Sequence, residues 1–176
     1  MCASCSAPTG STDGAEFRFS PCSRIRRTGL RPGILILAGI VLLGTAWVAI
    51  HLFARDGAAV ARGRVLYDTN CAVCHGRNLE GQPDWQSAGS DGRLPAPPHD
   101  ATGHTWHHSD ADLTAYIALG GAEALAQMGV TFDSAMPGFG DVLSTQEIAD
   151  ILAYIKSHWP ERERQVQAER SASDGR

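Results

Sequence analysis

Cys71-Ala72-Val73-Cys74-His75 is the stretch on which the reading of this chain turns. Its two thiols lie three positions apart on one turn of backbone, so both can meet a single ring edge. The imidazole one residue on is directed beneath that ring. This is the C-x-x-C-H signature of covalent haem attachment: each thiol adds to a vinyl group and the histidine reaches the iron. A thioredoxin-like pair shares C-x-x-C, but no strand pattern precedes these residues and no βαβ unit follows. A zinc site needs a second ligand pair at suitable spacing, and none matches cleanly. One motif predicts one covalent haem c, attached through Cys71 and Cys74, with His75 as an axial ligand of the iron.

On the C-terminal side, residues 76–109 are rich in Gly, Pro and Asp and show little periodicity. A small domain does not tolerate so long a loop unless something organises it, and a large cofactor does. Helical signals resume at Ser109-Asp110-Ala111-Asp112, a cap with a carboxylate three positions on, followed by Leu113, Tyr116 and Ile117. Gly120-Gly121 stops that helix, and Ala122 to Met128 suits a short further one. Ser144-Thr145-Gln146-Glu147 is a capping box leading into Ile148, Ile151, Leu152 and Ile155 at i, i+3, i+4, i+7. That helix is expected to run to about Trp159, where Pro160 ends it. Met136 sits in Ala135-Met136-Pro137-Gly138-Phe139, where the proline and glycine make a rigid turn that presents a thioether. Met128 is the rival sixth ligand, but it falls in an Ala-rich helical pattern where methionine is ordinary core filler. Met136 is therefore the expected second axial ligand, raising the reduction potential and leaving no open iron position.

Working toward the N-terminus, Ala58 to Tyr67 has good helix formers, with Val65 and Leu66 available for packing. Before it, Ile34 to Phe53 reads ILILAGIVLLGTAWVAIHLF, twenty residues without Asp, Glu, Lys or Arg. As a helix this spans about 30 Å, the thickness of a bilayer's hydrocarbon core. Arg18, Arg24, Arg26, Arg27 and Arg31 precede it, whereas only Arg55, Arg62 and Arg64 follow within a similar distance. The positive-inside bias puts the N-terminus in the cytoplasm and the C-terminal part outside. A cleaved signal peptide has a shorter apolar region with a small-x-small site close behind. Ala59-Val60-Ala61 lies several residues beyond the apolar edge, so the run reads as an uncleaved anchor. Residues 1–33 are rich in Ser, Gly and Pro and read as a disordered cytoplasmic tail. Within them Cys2 and Cys5 have metal- or redox-type spacing without a partner pair, the mark of a reduced thiol pair.

The whole chain of 176 residues carries a net charge of −4, which argues against a nucleic-acid partner. Five clustered cysteines are too few for a disulfide-stapled scaffold. Residues 57–160 hold five basic and twelve acidic side chains, while residues 161–176 have four of each sign and read as a charged, solvated extension able to continue a helix briefly. Four of the seven histidines, His99, His104, His107 and His108, fall within ten residues. Imidazole clusters suit copper or zinc; an exposed loop, hydrogen bonds to haem propionates, or an iron ligand in place of Met136 are the plainer readings.

Over about residues 57–160 the chain resembles the class I cytochrome c family. The likeness rests on Gly63 and Tyr67 in a first helix, the CAVCHG attachment site, the MPGF loop, and a last helix with Tyr154 and Trp159. The resemblance implies an all-α cytochrome c fold around one covalent haem, here preceded by a single transmembrane helix. It also implies that the first and last helices cross closely, with Gly63 a candidate for the contact. The family places a proline carbonyl against the proximal histidine, a role open to Pro95 or Pro97. The long loop departs from the short Gly-Pro segment of soluble carriers and looks more like membrane-anchored bacterial relatives.

The expected function is single-electron transfer between respiratory or dehydrogenase partners on the periplasmic side of a bacterial inner membrane. The acidic domain is expected to meet redox partners through a basic docking face. No catalytic dyad or triad is evident, so neither catalytic residues nor a small-molecule substrate is expected. Two alternatives stand beside it: a haem subunit of an oxidoreductase complex, and a copper-handling module using His99, His104, His107 and His108.

Overall fold

The computed structural model describes residues 32–174, and all regular structure among them is helical. In chain order the helices are α1 (Pro32–Asn70), α2 (Ala72–His75), α3 (Asp110–Leu119), α4 (Gly121–Gln127), α5 (Thr145–Ser157) and α6 (Glu161–Asp174). A single 3-10 turn covers Thr105–His107. The expected all-α fold is what forms. The tail expected over 1–33, with Cys2, Cys5 and the five leading arginines, lies outside the described residues apart from Pro32 and Gly33, which open α1. The chain divides into two units, one ending at Val41 and one running from Leu42.

The sequence suggests separate helices over 34–53 and 58–67, but α1 runs through both without a break. Residues 54–57, Ala-Arg-Asp-Gly, contain no proline, and one glycine costs only about 1 kcal/mol in a helix interior. Nothing there terminates the helix. Its apolar part has a mean hydropathy of 2.2 over its best window, and the described side chains there lie almost wholly exposed. By length and composition this helix can cross a bilayer.

Within the second unit, the C-terminal part of α1 crosses α5. A Cβ on Gly63 would stand 1.8 Å from the Asp150 carbonyl oxygen, so only a hydrogen side chain permits this approach. One turn away on α1 lies Tyr67, fully buried, with its ring 5.3 Å from that of Tyr154. Arg62 donates from Nε and Nη2 to the two carboxylate oxygens of buried Asp150, at 2.7 and 3.1 Å. This ion pair holds the Asp150 carboxyl below its ordinary value. The crossing expected at Gly63 is therefore present. Ile148, Ile151, Leu152 and Ile155 of α5, with Leu113 and Ile117 of α3, complete the core around Tyr67 and Trp159.

Both cap signals are realised. Ser109 accepts from the Asp112 backbone N–H while Asp112 accepts from that of Ser109, and Ser144 and Glu147 do the same for α5. Gly120, at φ +85°, ends α3 as expected, and α5 stops slightly early with His158 as its cap.

The segment after Pro160 departs from expectation. Instead of a solvated extension with a brief helical start it forms α6 and docks on α3. Buried Gln167 donates from Nε2 to Asp110 Oδ1 at 2.7 Å and to Ser171 Oγ at 3.0 Å. Ser171 Oγ accepts from the Asp110 N–H at 2.9 Å, and Lys156 also pairs with Asp110. Polar side chains hold α6 in place, which is why an apolar-periodicity reading misses it.

Candidate functional site

The C-x-x-C-H turn is the start and body of α2. Cys71 is its N-cap, Cys74 lies within it, and His75 is its last residue. Both cysteines are free thiols, Cys71 half-buried and Cys74 exposed. Burial, with Cys74 as a lesser cause, pushes the Cys71 thiol up to about 11. Tyr67 Oη donates to the Gly76 carbonyl at 3.0 Å, tying this turn to the core.

His75 is buried, and its Nδ1 lies 2.9 Å from the Pro97 carbonyl oxygen. A carbonyl only accepts, so Nδ1 carries the proton and Nε2 keeps the ring's lone pair. Burial lowers the His75 pKa and so favours the neutral ring, partly opposed by this hydrogen bond. Of the two prolines open from sequence, Pro97 is the one whose carbonyl meets His75.

The loop from 76 to 109 is tightly specified. The Gly81 N–H donates to the His75 carbonyl at 2.8 Å, and that of His99 to the Leu79 carbonyl at 2.8 Å. Gln82 and Ala96 bond reciprocally, backbone to backbone and side chain to backbone, each at 2.9 Å. Two glycines clasp the Pro97-Pro98 dipeptide. A Cβ on Gly81 would sit 2.5 Å from Pro98 N, and one on Gly103 would sit 2.0 Å from Pro98 O. Leu79 fills the space beneath, fully buried. Gly81, Gly103 and Leu79 escape a sequence reading because each acts through contacts made only when the loop folds back on itself.

Met136 is half-buried and packs against the core. Its loop is stitched to the end of α3: Gly121 N–H donates to the Met136 carbonyl at 3.0 Å, Phe139 N–H to Ile117 at 2.8 Å, and Gly140 N–H to Ala118 at 2.9 Å. Side chains on Gly120 or Gly138 would collide with this backbone at 2.7 Å. The loop's rigidity thus comes from glycine-permitted backbone contact as much as from Pro137. Met128, by contrast, is exposed beside the Tyr116 hydroxyl.

The four clustered histidines part company. His99 turns inward, its ring 4.0 Å from that of His75 at an interplanar angle of 21°. His104 stacks on Trp85, His107 on Trp106, and His108 meets His104 and Tyr116 edge-on. Among the described residues no three His, Cys, Asp or Glu side chains converge to hold a metal ion. Stacking on Trp85 and Trp106 takes His104 and His107 in separate directions.

Two free thiols on one turn and a neutral imidazole with its Nε2 lone pair available fit the donor set that a covalent haem requires. Met136 and Cys71 both pack against the same core cluster. Comparison with known proteins agrees. The family model described as "Cytochrome c" matches residues 60–159. The "Cbb3-type cytochrome c oxidase subunit FixP" of Sinorhizobium medicae (strain WSM419) is 29% identical over 123 residues, covering 65% of this chain and 38% of that protein. The "Cbb3-type cytochrome c oxidase subunit CcoP" of Azospirillum sp. (strain B510) is 28% identical over 124 residues, covering 70% and 40%. The chain thus spans about two fifths of the length of these curated relatives. No solved structure matches significantly. With a family match over more than half its length, on a helical fold built around C-x-x-C-H, the chain belongs to the cytochrome c family, whose cofactor is covalent haem c.

Proposed function

We propose that this chain is a membrane-anchored monohaem cytochrome c that passes single electrons between redox proteins at a bacterial inner membrane. Residues 34–53 form the anchor, the N-terminus is cytoplasmic, and the haem domain is periplasmic. The arginine excess before the anchor supports that orientation. Cys71 and Cys74 would carry the thioether bonds, and His75 and Met136 would supply the ligands to the iron. The observation that carries this reading is the hydrogen bond from His75 Nδ1 to Pro97 O on the histidine of the C-x-x-C-H turn.

When bound, haem iron supplies one-electron redox chemistry. The chain's own residues set the conditions for it. The Pro97 carbonyl fixes the His75 tautomer and raises its basicity as a ligand. Met136, on its stitched loop, offers a soft thioether that favours the reduced metal. Leu79, Tyr67 and Trp159 are buried apolar side chains of the core that holds this loop and turn. With His75 and Met136 both given to the iron, the chain would offer no open coordination place to a small-molecule substrate and would act as a carrier.

A second reading, a haem subunit of a terminal oxidase complex, is favoured by similarity to the FixP and CcoP subunits. The two readings share the same haem chemistry and differ in whether the domain stays docked. One experiment tests the common part: mass and absorption spectra of the purified chain, wild type and Met136→Ala. The wild type is expected to weigh one haem more than its polypeptide. Its ferric form is expected to show the weak far-red charge-transfer band of thioether ligation, lost in the variant. A colourless protein, or a band that survives Met136→Ala, overturns the assignment.

A further inference from the structure

Among the clustered histidines only His99 contacts His75, and its own ring is locked. Its Nδ1 lies 2.8 Å from Thr105 Oγ1, and that buried hydroxyl lies 3.3 Å from the Pro98 carbonyl oxygen. The hydroxyl has one proton to share between Pro98 O and His99 Nδ1, and with either hydrogen-bond direction the His99 ring is tied to Thr105 at Nδ1. The backbone at His99 is held as firmly. Its N–H donates to the Leu79 carbonyl, and its own carbonyl accepts from Trp159 Nε1 at 2.7 Å. The Tyr67 ring meets it edge-on at 6.2 Å. Consecutive carbonyls of Pro97 and Pro98 therefore reference both imidazoles to one stiff dipeptide, clasped between Gly81 and Gly103.

A branched aliphatic side chain would fill this volume and bury as much apolar surface. A planar ring of fixed azimuth does something an aliphatic group cannot: it selects one rotation for the ring stacked on it. We propose that His99 is a positioning residue for His75, its Thr105-locked ring setting the plane of the axial imidazole by stacking. This rests on His75 being an axial ligand. Ring orientation matters because the imidazole π orbitals meet the iron orbitals along the direction of that plane, a case of an outer residue orienting a ligand.

The test compares wild type with His99→Phe, His99→Leu and Thr105→Val, each as the haem-loaded full chain in detergent micelles. Proton NMR of the ferric state reads the spread and order of the four haem methyl resonances, which follow the axial ring planes; the reduction potential is recorded alongside. His99→Leu is expected to lose the wild-type methyl pattern and shift the potential. His99→Phe, which keeps a stacking plane but loses the Thr105 bond, is expected to fall between wild type and His99→Leu. Thr105→Val is expected to alter it in the direction of His99→Leu. A wild-type pattern in folded His99→Leu overturns the inference, and so does a leucine-like pattern in His99→Phe. If His99→Leu does not fold, Thr105→Val decides, an unchanged pattern counting against the proposal. Should wild type lack hyperfine-shifted protons of an axial imidazole, the assignment of His75 falls and takes this inference with it.

Discussion

Replacing Gly63 by alanine adds one methyl group where α1 and α5 touch through backbone. The new carbon would lie 1.8 Å from the Asp150 carbonyl oxygen and 2.5 Å from its carbonyl carbon, whereas ordinary contact begins near 3.4 Å. A flexible side chain could swing aside, but helical backbone cannot. The helices must part by on the order of 1.5 Å, beyond what a close-packed interface absorbs. Overpacking of this kind costs about 1–3 kcal/mol, and loosening the Tyr67–Tyr154 ring contact adds about 0.5–1.5 kcal/mol. A total near 3 kcal/mol, at about 4 °C per kcal/mol for a domain of this size, lowers the melting temperature by about 12 °C. The assay is thermal unfolding of the haem-loaded chain in detergent, followed by far-UV circular dichroism and Soret absorbance. Gly57→Ala is the internal control: it lies on the same helix, and nothing stands within 4 Å of its added carbon. That substitution is expected to be neutral or to stabilise by up to about 1 kcal/mol through helix propensity. If Gly63→Ala melts no lower than Gly57→Ala, the close crossing is not what holds these helices together.

Trp159→Phe removes the N–H that satisfies the His99 carbonyl at 2.7 Å, leaving that oxygen unpaired in the core. The urea midpoint is expected to fall by the equivalent of about 1–3 kcal/mol, and an unchanged midpoint refutes the role of this bond. The Arg62 contact holds the folded pKa of Asp150 below its ordinary 3.8, so its stabilisation is complete above that value. It disappears as pH falls through the lower, folded value. Asp150→Asn is therefore expected to be less stable at neutral pH and to lose less stability than wild type on acidification below pH 3.8. Parallel stability–pH curves from acid denaturation would contradict this. Twelve acidic against five basic residues in 57–160 predict that reduction by a basic redox partner slows with added salt in stopped-flow mixing. A flat salt profile removes electrostatic steering.

Legibility in the sequence followed the range of the interactions. The C-x-x-C-H turn, the boxes at Ser109 and Ser144, the stop at Gly120 and the uncharged run over 34–53 all operate within a turn or along one helix. Each is written in adjacent letters. Arg62 with Asp150, Trp159 with His99 and Gln167 with Asp110 join residues 88, 60 and 57 positions apart, and no local pattern announces them. The same limit kept Pro95 and Pro97 equivalent on paper. Only the folded loop brings one of their carbonyls to His75.

The sequence alone thus determined the chemistry of attachment, the helical class and the presence of an apolar span, because residue type and spacing suffice for each. Tertiary structure decided which proline faces the histidine, that His99 stacks inward while its neighbours pair with tryptophans, and that α6 docks instead of trailing in solvent. Those outcomes depend on which distant groups come within hydrogen-bond or van der Waals reach. That distance is set by packing within the domain, including glycines such as Gly63 and Gly103 whose missing side chains let the backbones meet.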